Sequence, residues 1–250
     1  MNKRILLIVE GPNDEKLLVE KLWDRFDRGA DYSIYTYETN IYVLMKQLFE
    51  DGEIDEDLDL LRLLKSQDVP ESKRIGKDEV FTDIYLIFDF DPQDPNADFS
   101  MLRKMLRFFD DSSVKGKLFI NYPMMQSFRH LTGQDDPGFK ERSVPIDIGR
   151  GYKALVDREA WKVLKQNAGL DRGRLKWIIG LNLMKMNYIV NGVYEMPTYD
   201  EYRKMTGDIV LDHQLEAVED SNSVYVLNTS VFLIVDYHPS WFFDDVKPGE

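Results

Sequence analysis

Three acidic residues follow apolar segments of the chain at places where their side chains could act together. Glu10 comes directly after residues 5–9, and Asp89 and Asp91 come after residues 84–88. Both segments have the length and the β-branched and aromatic content of buried strands. The carboxyl ends of parallel strands in an α/β sheet form the crevice where ligands bind. The sequence therefore predicts that the three carboxylates meet at one end of a sheet.

Carboxylates that converge without a basic partner repel one another, which raises their pKa values and destabilises the fold. A divalent cation would remove that repulsion. The chain has no cysteine and only three histidines, so oxygen atoms are the abundant ligands. Oxygen ligands suit Mg²⁺ or Mn²⁺ far better than Zn²⁺. We therefore predict a Mg²⁺ or Mn²⁺ site formed by Glu10, Asp89 and Asp91.

The elements that must position these residues alternate between strand and helix patterns over the first half of the chain. Apolar spacing predicts strands over residues 4–9, 32–37, 81–88 and 118–121, and helices over residues 14–26, 41–49 and 99–109, with another helix entered by Pro123. This alternation predicts an α/β fold with a mainly parallel sheet flanked by helices. Residues 51–79, which are charged and begin acidic, are predicted to be a helical insertion.

The second half of the chain is predicted to be mainly helical. Helical spacing covers residues 152–166, 175–190, 199–205 and 212–218. Residues 224–227 fit either a strand or a buried helix, and residues 231–235 favour a helix. We expect one compact body in which residues 1–145 form the α/β domain and residues 146–250 form a mainly α-helical region.

Composition limits the classes of partner. The net charge of −13 argues against a surface that binds nucleic acid mainly by neutralising phosphates, so any such contact must be local, metal-assisted or shared with a partner. No apolar run reaches the roughly 20 residues of a membrane helix, and no membrane partner is expected. The apolar run near the start ends after five residues and resembles a strand more than a signal peptide. With no cysteine, a cytoplasmic location is the expectation.

Two segments resemble the motifs of TOPRIM domains. Residues 9–15, Val-Glu-Gly-Pro-Asn-Asp-Glu, are similar to the first motif, and residues 87–91, Ile-Phe-Asp-Phe-Asp, are similar to the second, a hydrophobic strand ending in Asp-x-Asp. The two occur in the family order, and the resemblance covers about residues 3–135. It implies a TOPRIM-like, Rossmann-like fold and Mg²⁺-dependent phosphodiester chemistry.

The resemblance also implies roles for individual residues. Glu10 matches the family glutamate proposed as general acid/base or metal ligand, and Asp89 and Asp91 match the metal-binding pair. These three residues are the predicted catalytic residues.

Further acidic residues resemble the additional acidic positions of the nuclease branch. Asp14 and Glu15 would support a second metal and an in-line displacement, and Asp94 could supply another ligand. Gly11 permits the tight turn after the first strand. Ordinary roles compete with this interpretation, because helix N-termini favour carboxylates and aspartate is common in turns.

One position departs from the resemblance. Residues 121–128 are similar to the strand-to-helix segment of small TOPRIM proteins from phage-defence loci, and Gln126 stands at the acidic position. An amide can coordinate metal or orient substrate but cannot act as a base. A basic loop with Arg142, Arg150 and Lys153 could stabilise phosphate charge. The histidines, His130, His213 and His238, are left out of the predicted site.

Two functions follow as hypotheses. The first is a Mg²⁺/Mn²⁺-dependent TOPRIM nuclease of DNA or RNA, similar to the OLD nucleases, acting as a toxic effector of bacterial anti-phage defence by abortive infection. No phosphate-binding Gly-Lys-Ser/Thr run is present, so an ATPase or sensor would be a separate polypeptide. The second is a catalytically weak TOPRIM-fold interaction module in a complex with an ATPase partner. Primase and topoisomerase roles are disfavoured, since no zinc ribbon or basic track is visible. Self-association into a homo-oligomer is left open.

Overall fold

A five-stranded sheet carries the first half of the chain. The computed structural model describes residues 4–66, 74–166 and 169–246. The strands are β1 (Arg4–Val9), β2 (Asp31–Thr36), β3 (Phe49–Glu50), β4 (Glu53–Ile54), β5 (Asp83–Asp89), β6 (Asp110–Asp111), β7 (Gly116–Asn121), β8 (Ser143–Pro145) and β9 (Ser223–Tyr225). The sheet order is β2-β1-β5-β7-β6, in which only the short edge strand β6 runs antiparallel to its neighbour. The predicted mainly parallel α/β sheet is confirmed.

Helices flank this sheet and dominate the second half. The α-helices are α1 (Asp14–Phe26), α2 (Ile41–Leu48), α3 (Leu60–Ser66), α4 (Phe99–Phe108), α5 (Gly151–Glu159), α6 (Arg172–Asn191), α7 (Tyr199–Lys204), α8 (Gly207–Ser221) and α9 (Leu233–Tyr237). The 3₁₀ helices are Met125–Arg129, Lys162–Lys165, Ser230–Phe232 and Pro239–Trp241. The helix predicted over residues 231–235 is present, and the ambiguous residues 224–227 begin as strand β9.

The order of the strands places a topological switch point between β1 and β5. From β1 the chain passes through α1 to β2 on one side, and it later returns through β5 on the other side of β1. Side chains at the carboxyl ends of two such strands face a crevice that no crossover helix fills. Both strands are almost entirely buried, as their continuous apolar sequences require. The switch point therefore projects Glu10 and Asp89 from a rigid core.

Two local predictions needed correction. The helix entered by Pro123 is wrong: Tyr122 pairs with Leu227 in an extended bridge, Met124 is also extended, and only the short 3₁₀ helix Met125–Arg129 follows. Because Met124, the residue after Pro123, is extended, Pro123 cannot be the first residue of a helix; the Tyr122–Pro123 peptide bond is cis.

The insertion is only partly helical. The strands β3 and β4 pair across the residues Asp51 and Gly52, which both have positive φ, as a two-residue hairpin turn requires. The α3 helix follows. Residues 67–73 of the predicted insertion, and residues 1–3, lie outside the described residues.

Residues on both sides of the predicted boundary at 145 pack against one another. Strand β8, which ends at that boundary, pairs antiparallel with β9, and Tyr85 donates a hydrogen bond to Asp236 at 3.0 Å. Trp23 packs edge-on against Tyr237 with ring centroids 4.8 Å apart. The division into 1–145 and 146–250 stays a prediction. Over the described residues, no helix has both the length and the apolar character needed to cross a membrane.

Candidate metal centre

Glu10 extends the β1–β5 ladder by one residue. Its backbone N–H donates to the carbonyl of Ile87 at 3.1 Å, so its position is fixed by the same pairing that holds the strand. Its side chain then turns toward β5, where its Oε2 accepts the backbone N–H of Asp89 at 3.1 Å. The Glu10 carboxylate is therefore anchored directly over the end of β5.

Asp89 is the last residue of β5, and it is only 3% exposed. Its Oδ1 receives the side-chain N–H of Asn121 at 3.4 Å. Asp91 follows in a turn with φ of +37°, a left-handed conformation that aspartate tolerates better than most residues. The hydroxyl of Tyr42 on α2 donates to the carbonyl of Phe90 between them. The strand has ended at this point, and the turn places Asp91 near enough to Glu10 and Asp89 to raise their pKa values.

Glu15 joins these residues from the first turn of α1. It is 8% exposed. Gly11 does not have a positive φ; instead, a Cβ at this position would lie 2.9 Å from Oε2 of Glu15. The glycine therefore allows the Glu15 carboxylate to approach the backbone of the turn, which differs from the conformational role predicted for it.

The four carboxylates, Glu10, Glu15, Asp89 and Asp91, form what we call the carboxylate cluster. Burial, with smaller contributions from Asp91 and Glu15, raises the pKa of Glu10 to about 8. Burial and the neighbouring Glu10, Glu15 and Asp91 raise the pKa of Asp89 well above its ordinary value. The pKa values of Glu15 and Asp91 are also raised, chiefly by burial. The cluster is thus a set of buried and half-buried acids in which burial outweighs the little compensating positive charge, that of Lys153 near Glu15.

Asp14 is directed away from the carboxylate cluster. Its Oδ2 accepts hydrogen bonds from Nε2 of Gln126 at 2.7 Å and from Nζ of Lys153 at 3.3 Å. An Arg129 nitrogen lies 3.9 Å from its Oδ1. Burial opposes ionisation, but the bond from Gln126 and the charges of Arg129 and Lys153 outweigh it, and the pKa of Asp14 is lowered. Adjacent helical residues diverge by about 100°, so Asp14 and Glu15 serve different surroundings.

Asp94 lies at the outer end of the Asp91 turn. Its carboxylate accepts from the backbone and side chain of Asn96 and from the side chain of Asn40. These bonds outweigh the effect of burial, so its pKa is lowered, although its charge contributes to raising the pKa of Asp91. Its contacts are those of a turn residue, which was the competing interpretation for this position.

The basic loop is divided between two sites. Arg142 forms a two-pronged ion pair with Asp136 at 2.7 and 2.9 Å, away from the carboxylate cluster. Lys153 reaches Asp14, and Arg150 is exposed before α5. His130 is buried between Tyr152 and Glu159, with ring nitrogens 3.1 and 3.3 Å from their oxygens. These neighbours account for His130 as a residue of the interior.

The sequence analysis missed Asn121, which closes one side of the site. Besides donating to Asp89, it accepts the backbone N–H of Ser230 at 3.2 Å and its hydroxyl at 2.7 Å. Asn228, two residues earlier, donates to the carbonyl of Met125 and to the hydroxyl of Ser127. Asn121 ends β7, which lies next to β5 in the sheet. Its position at the end of a third strand could have identified it as a site residue. No feature of the sequence predicts its contact with Ser230.

The donor set fits a hard divalent cation. The ion pairs of the described residues include none of the four cluster carboxylates. Oε1 of Gln126 is a buried acceptor that has no hydrogen-bond partner in the part of the chain that the structure describes. The same amide bonds to Asp14, the neighbour of Glu15 on α1. Carboxylate and amide oxygens are the ligands that Mg²⁺ and Mn²⁺ prefer.

Within residues 4–66, 74–166 and 169–246, no group of three or more histidine, aspartate or glutamate side chains has the arrangement of a metal site. Buried acids without a cation repel one another, so a bound cation would have to draw the cluster carboxylates together.

Comparison of the chain with protein-family models, with curated proteins and with solved structures found no match. The function must therefore be argued from the site itself.

Proposed function

We propose that the protein is a Mg²⁺- or Mn²⁺-dependent nuclease that cleaves phosphodiester bonds in DNA or RNA. The observation that supports this proposal is the carboxylate cluster at the switch point between β1 and β5. Asp89 and Glu15 are buried, Glu10 and Asp91 are half-buried, and all four have raised pKa values. Without an ion-pair partner among the described residues, such acids are costly to the fold unless they serve a ligand. The TOPRIM resemblance of the two segments that supply them suggests which ligand chemistry this is.

The position of each cluster residue suggests its role in the proposed reaction. Glu10, Asp89 and Asp91 would hold the cation, with Glu15 as the next oxygen donor. When bound, a divalent cation would polarise a phosphoryl oxygen and lower the pKa of an attacking water molecule. Asp89, at the base of the site, is held by Asn121, so its carboxylate has a fixed direction. The resemblance also allows Glu10 a role as general acid/base; burial raises its pKa to about 8 without a cation, and a cation bound beside it would lower that pKa.

The biological setting is proposed on the resemblance alone. A toxic effector of anti-phage defence would need control, and a separate ATPase or sensor protein could supply it. The charge of −13 fits a protein that binds a partner surface and contacts nucleic acid chiefly at its metal centre.

One feature favours the alternative of a catalytically weak interaction module. The neutral Gln126 and the cation Lys153 both engage Asp14, so neither the glutamine nor this aspartate adds a free carboxylate to the cluster. The cluster would then bind a structural cation, and the helical half would recognise another protein.

A cleavage assay separates the two. The purified chain is incubated with supercoiled plasmid, single-stranded DNA and total RNA in the presence of Mg²⁺ or Mn²⁺, beside Glu10→Gln and Asp89→Asn. The matched controls are Glu56→Gln and Asp110→Asn, which neutralise exposed acids. Removing groups that hold a catalytic ion should lower the cleavage rate by roughly 100-fold or more, about 3 kcal/mol in barrier height.

The controls and a chelator complete the design. Glu56→Gln and Asp110→Asn should cleave at the parental rate, and EDTA should stop cleavage by all variants. Cleavage that survives in both Glu10→Gln and Asp89→Asn would contradict the nuclease proposal. Absence of cleavage by the parent, with each of the three substrates and either metal, would favour the interaction module.

A further inference from the structure

Next to the carboxylate cluster lies a second polar group with the opposite character. We call Asp14, Gln126, Arg129 and Lys153 the Asp14 group. Three elements supply it: the first turn of α1, the 3₁₀ helix Met125–Arg129, and α5. One carboxylate faces two cations and one amide N–H here, whereas the adjacent cluster holds carboxylates alone.

Arg129 is largely buried but forms only long contacts with acidic side chains. Its side chain is only 13% exposed, yet its ion pairs are long, 3.9 Å to Asp14 and 3.7 Å to Asp157. Its Nε is a buried donor that has no hydrogen-bond partner among the described residues. A guanidinium presents five N–H donors and is normally matched by a carboxylate or phosphate at hydrogen-bond distance. The nearby anions therefore do not satisfy Arg129.

Lys153 and Gln126 point their donors to the same place. Both bond to Oδ2 of Asp14, the lysine at 3.3 Å and the amide at 2.7 Å. The Lys153 side chain is 55% exposed, so this position is open to solvent on one side. The donors thus converge on a single anionic oxygen at the edge of the candidate site.

We propose that Gln126, Arg129 and Lys153 form a phosphate-binding subsite, and that the carboxylate of Asp14 occupies it until a phosphate group displaces it. Glu15, the neighbour of Asp14 on α1, belongs to the carboxylate cluster, so a phosphate held here lies beside the metal centre. That the phosphate belongs to a nucleic acid strand rests on the proposed function; the subsite itself rests on the donors.

This assignment gives Asp14 a role opposite to that of a metal ligand. An internal anion competes with phosphate, so removing it strengthens phosphate binding and leaves metal binding unchanged. A metal ligand, once removed, would weaken metal binding, so the Mn²⁺ affinity of Asp14→Ala is measured beside its phosphate affinity. One variant therefore separates the two roles.

The test measures phosphate binding in EDTA at low ionic strength by ³¹P NMR. The probes are inorganic phosphate and the thymidine dinucleotide TpT, whose only phosphate is a diester. For Asp14→Ala we expect at least a fivefold increase in affinity for both probes. Adding Lys153→Ala to Asp14→Ala should reverse that increase. Asp24→Ala, which removes an acid from the same helix, and Lys162→Ala, which removes an exposed cation, serve as matched controls and should leave affinity unchanged.

Folding and source of the phosphate are controlled separately. Asp14→Asn keeps the shape of the side chain without its charge and should also increase affinity; Arg129→Lys, which keeps the charge of a mostly buried residue, should lower affinity in the Asp14→Ala background. Unchanged or weaker phosphate binding by both Asp14 variants would overturn the proposal. Binding of inorganic phosphate but not of TpT would overturn its assignment to a strand.

The outcome is independent of catalysis because EDTA removes the metal. If Asp14→Ala binds both probes more tightly while the parent cleaves nothing, the subsite stands and the nuclease proposal falls. If cleavage depends on Glu10 and Asp89 but neither Asp14 variant gains affinity, the nuclease stands and the subsite falls.

Discussion

Two buried acidic sites of this protein differ in how their charge is met. Asp136, whose side chain is 2% exposed, accepts two hydrogen bonds from Arg142 and one from the backbone of Thr132, and its pKa is lowered because these bonds outweigh burial. Asp89 is about as buried, but its nearest charged neighbours are other acids, and its pKa is raised well above the ordinary value.

Asp136 forms an ion pair that stabilises the fold, whereas Asp89 is buried without an ion pair among the described residues. Arg142 also donates to the carbonyl of His130, so the Asp136–Arg142 pair joins the chain after the 3₁₀ helix to the strand β8. Among the residues that the structure describes, no ion pair involves the carboxylate cluster. Natural proteins keep such uncompensated groups chiefly at functional sites. Substitutions at the Asp136 site and in the carboxylate cluster test this comparison.

The largest effect is expected at the paired site. Arg142→Met removes the guanidinium and leaves Asp136 buried without a cation, which should lower the free energy of unfolding by about 3–5 kcal/mol. Urea unfolding measures this change. Arg158→Ala, which breaks an exposed pair with Glu159, should change stability by less than about 1 kcal/mol. An equally small loss in Arg142→Met would remove the distinction between the two sites.

For the carboxylate cluster, neutralising a charged group should increase the free energy of unfolding instead of lowering it. Glu10 has a folded pKa of about 8, above its unfolded value near 4.5, so its contribution to stability is complete below pH 4.5 and is lost as pH rises toward 8. Glu10→Gln replaces the ionisable carboxyl with a neutral amide, so this loss of stability at higher pH should not occur. Without metal, the variant should be more stable than the parent by on the order of 2 kcal/mol at pH 8, and the gain should vanish near pH 4.5.

Urea unfolding between pH 4.5 and 8, in EDTA, measures the effect of Glu10→Gln. The exposed Glu56→Gln is the control and should follow the parent at every pH. A Glu10→Gln protein that is less stable than the parent at pH 8 would mean that the ionised Glu10 is compensated, like Asp136, and that the cluster is not a set of unpaired acids.

The smallest effect concerns the support of Asp89 by the second half of the chain. Ser230→Ala removes the hydroxyl that donates to Asn121, while the backbone bond from residue 230 remains. We expect a loss of about 1 kcal/mol in the free energy of unfolding and, if the nuclease proposal holds, a several-fold lower cleavage rate. Thermal unfolding and the cleavage assay check this. Ser221→Ala, on an exposed helix end, is the control.

The sequence was informative where function depends on strand ends. Glu10 and Asp89 follow unbroken apolar strands, and parallel strands that neighbour each other must bring their carboxyl ends together, so their proximity was predictable. The proximity of Asp91 was predictable as well, because it lies only two residues beyond Asp89, and residues two apart on an extended chain share a face. The mainly parallel sheet followed from the alternation of strand and helix patterns.

The remainder depends on tertiary contacts that leave no local pattern. Nothing in the segment around Gln126 predicts that its amide holds Asp14, since the two are 112 positions apart. The two acids at the start of α1 looked equivalent, and only their neighbours distinguish them. The bridge between Tyr122 and Leu227 overrode the preference of proline for the start of a helix.

Titration with Mn²⁺ followed by electron paramagnetic resonance tests the central claim most directly, because free Mn²⁺ gives a signal that is lost when the ion binds. The account predicts that the parent binds Mn²⁺, that Mg²⁺ displaces it, and that the double variant Glu10→Gln, Asp89→Asn loses this binding while Glu56→Gln retains it. Equal Mn²⁺ binding by the parent and the double variant would contradict the account.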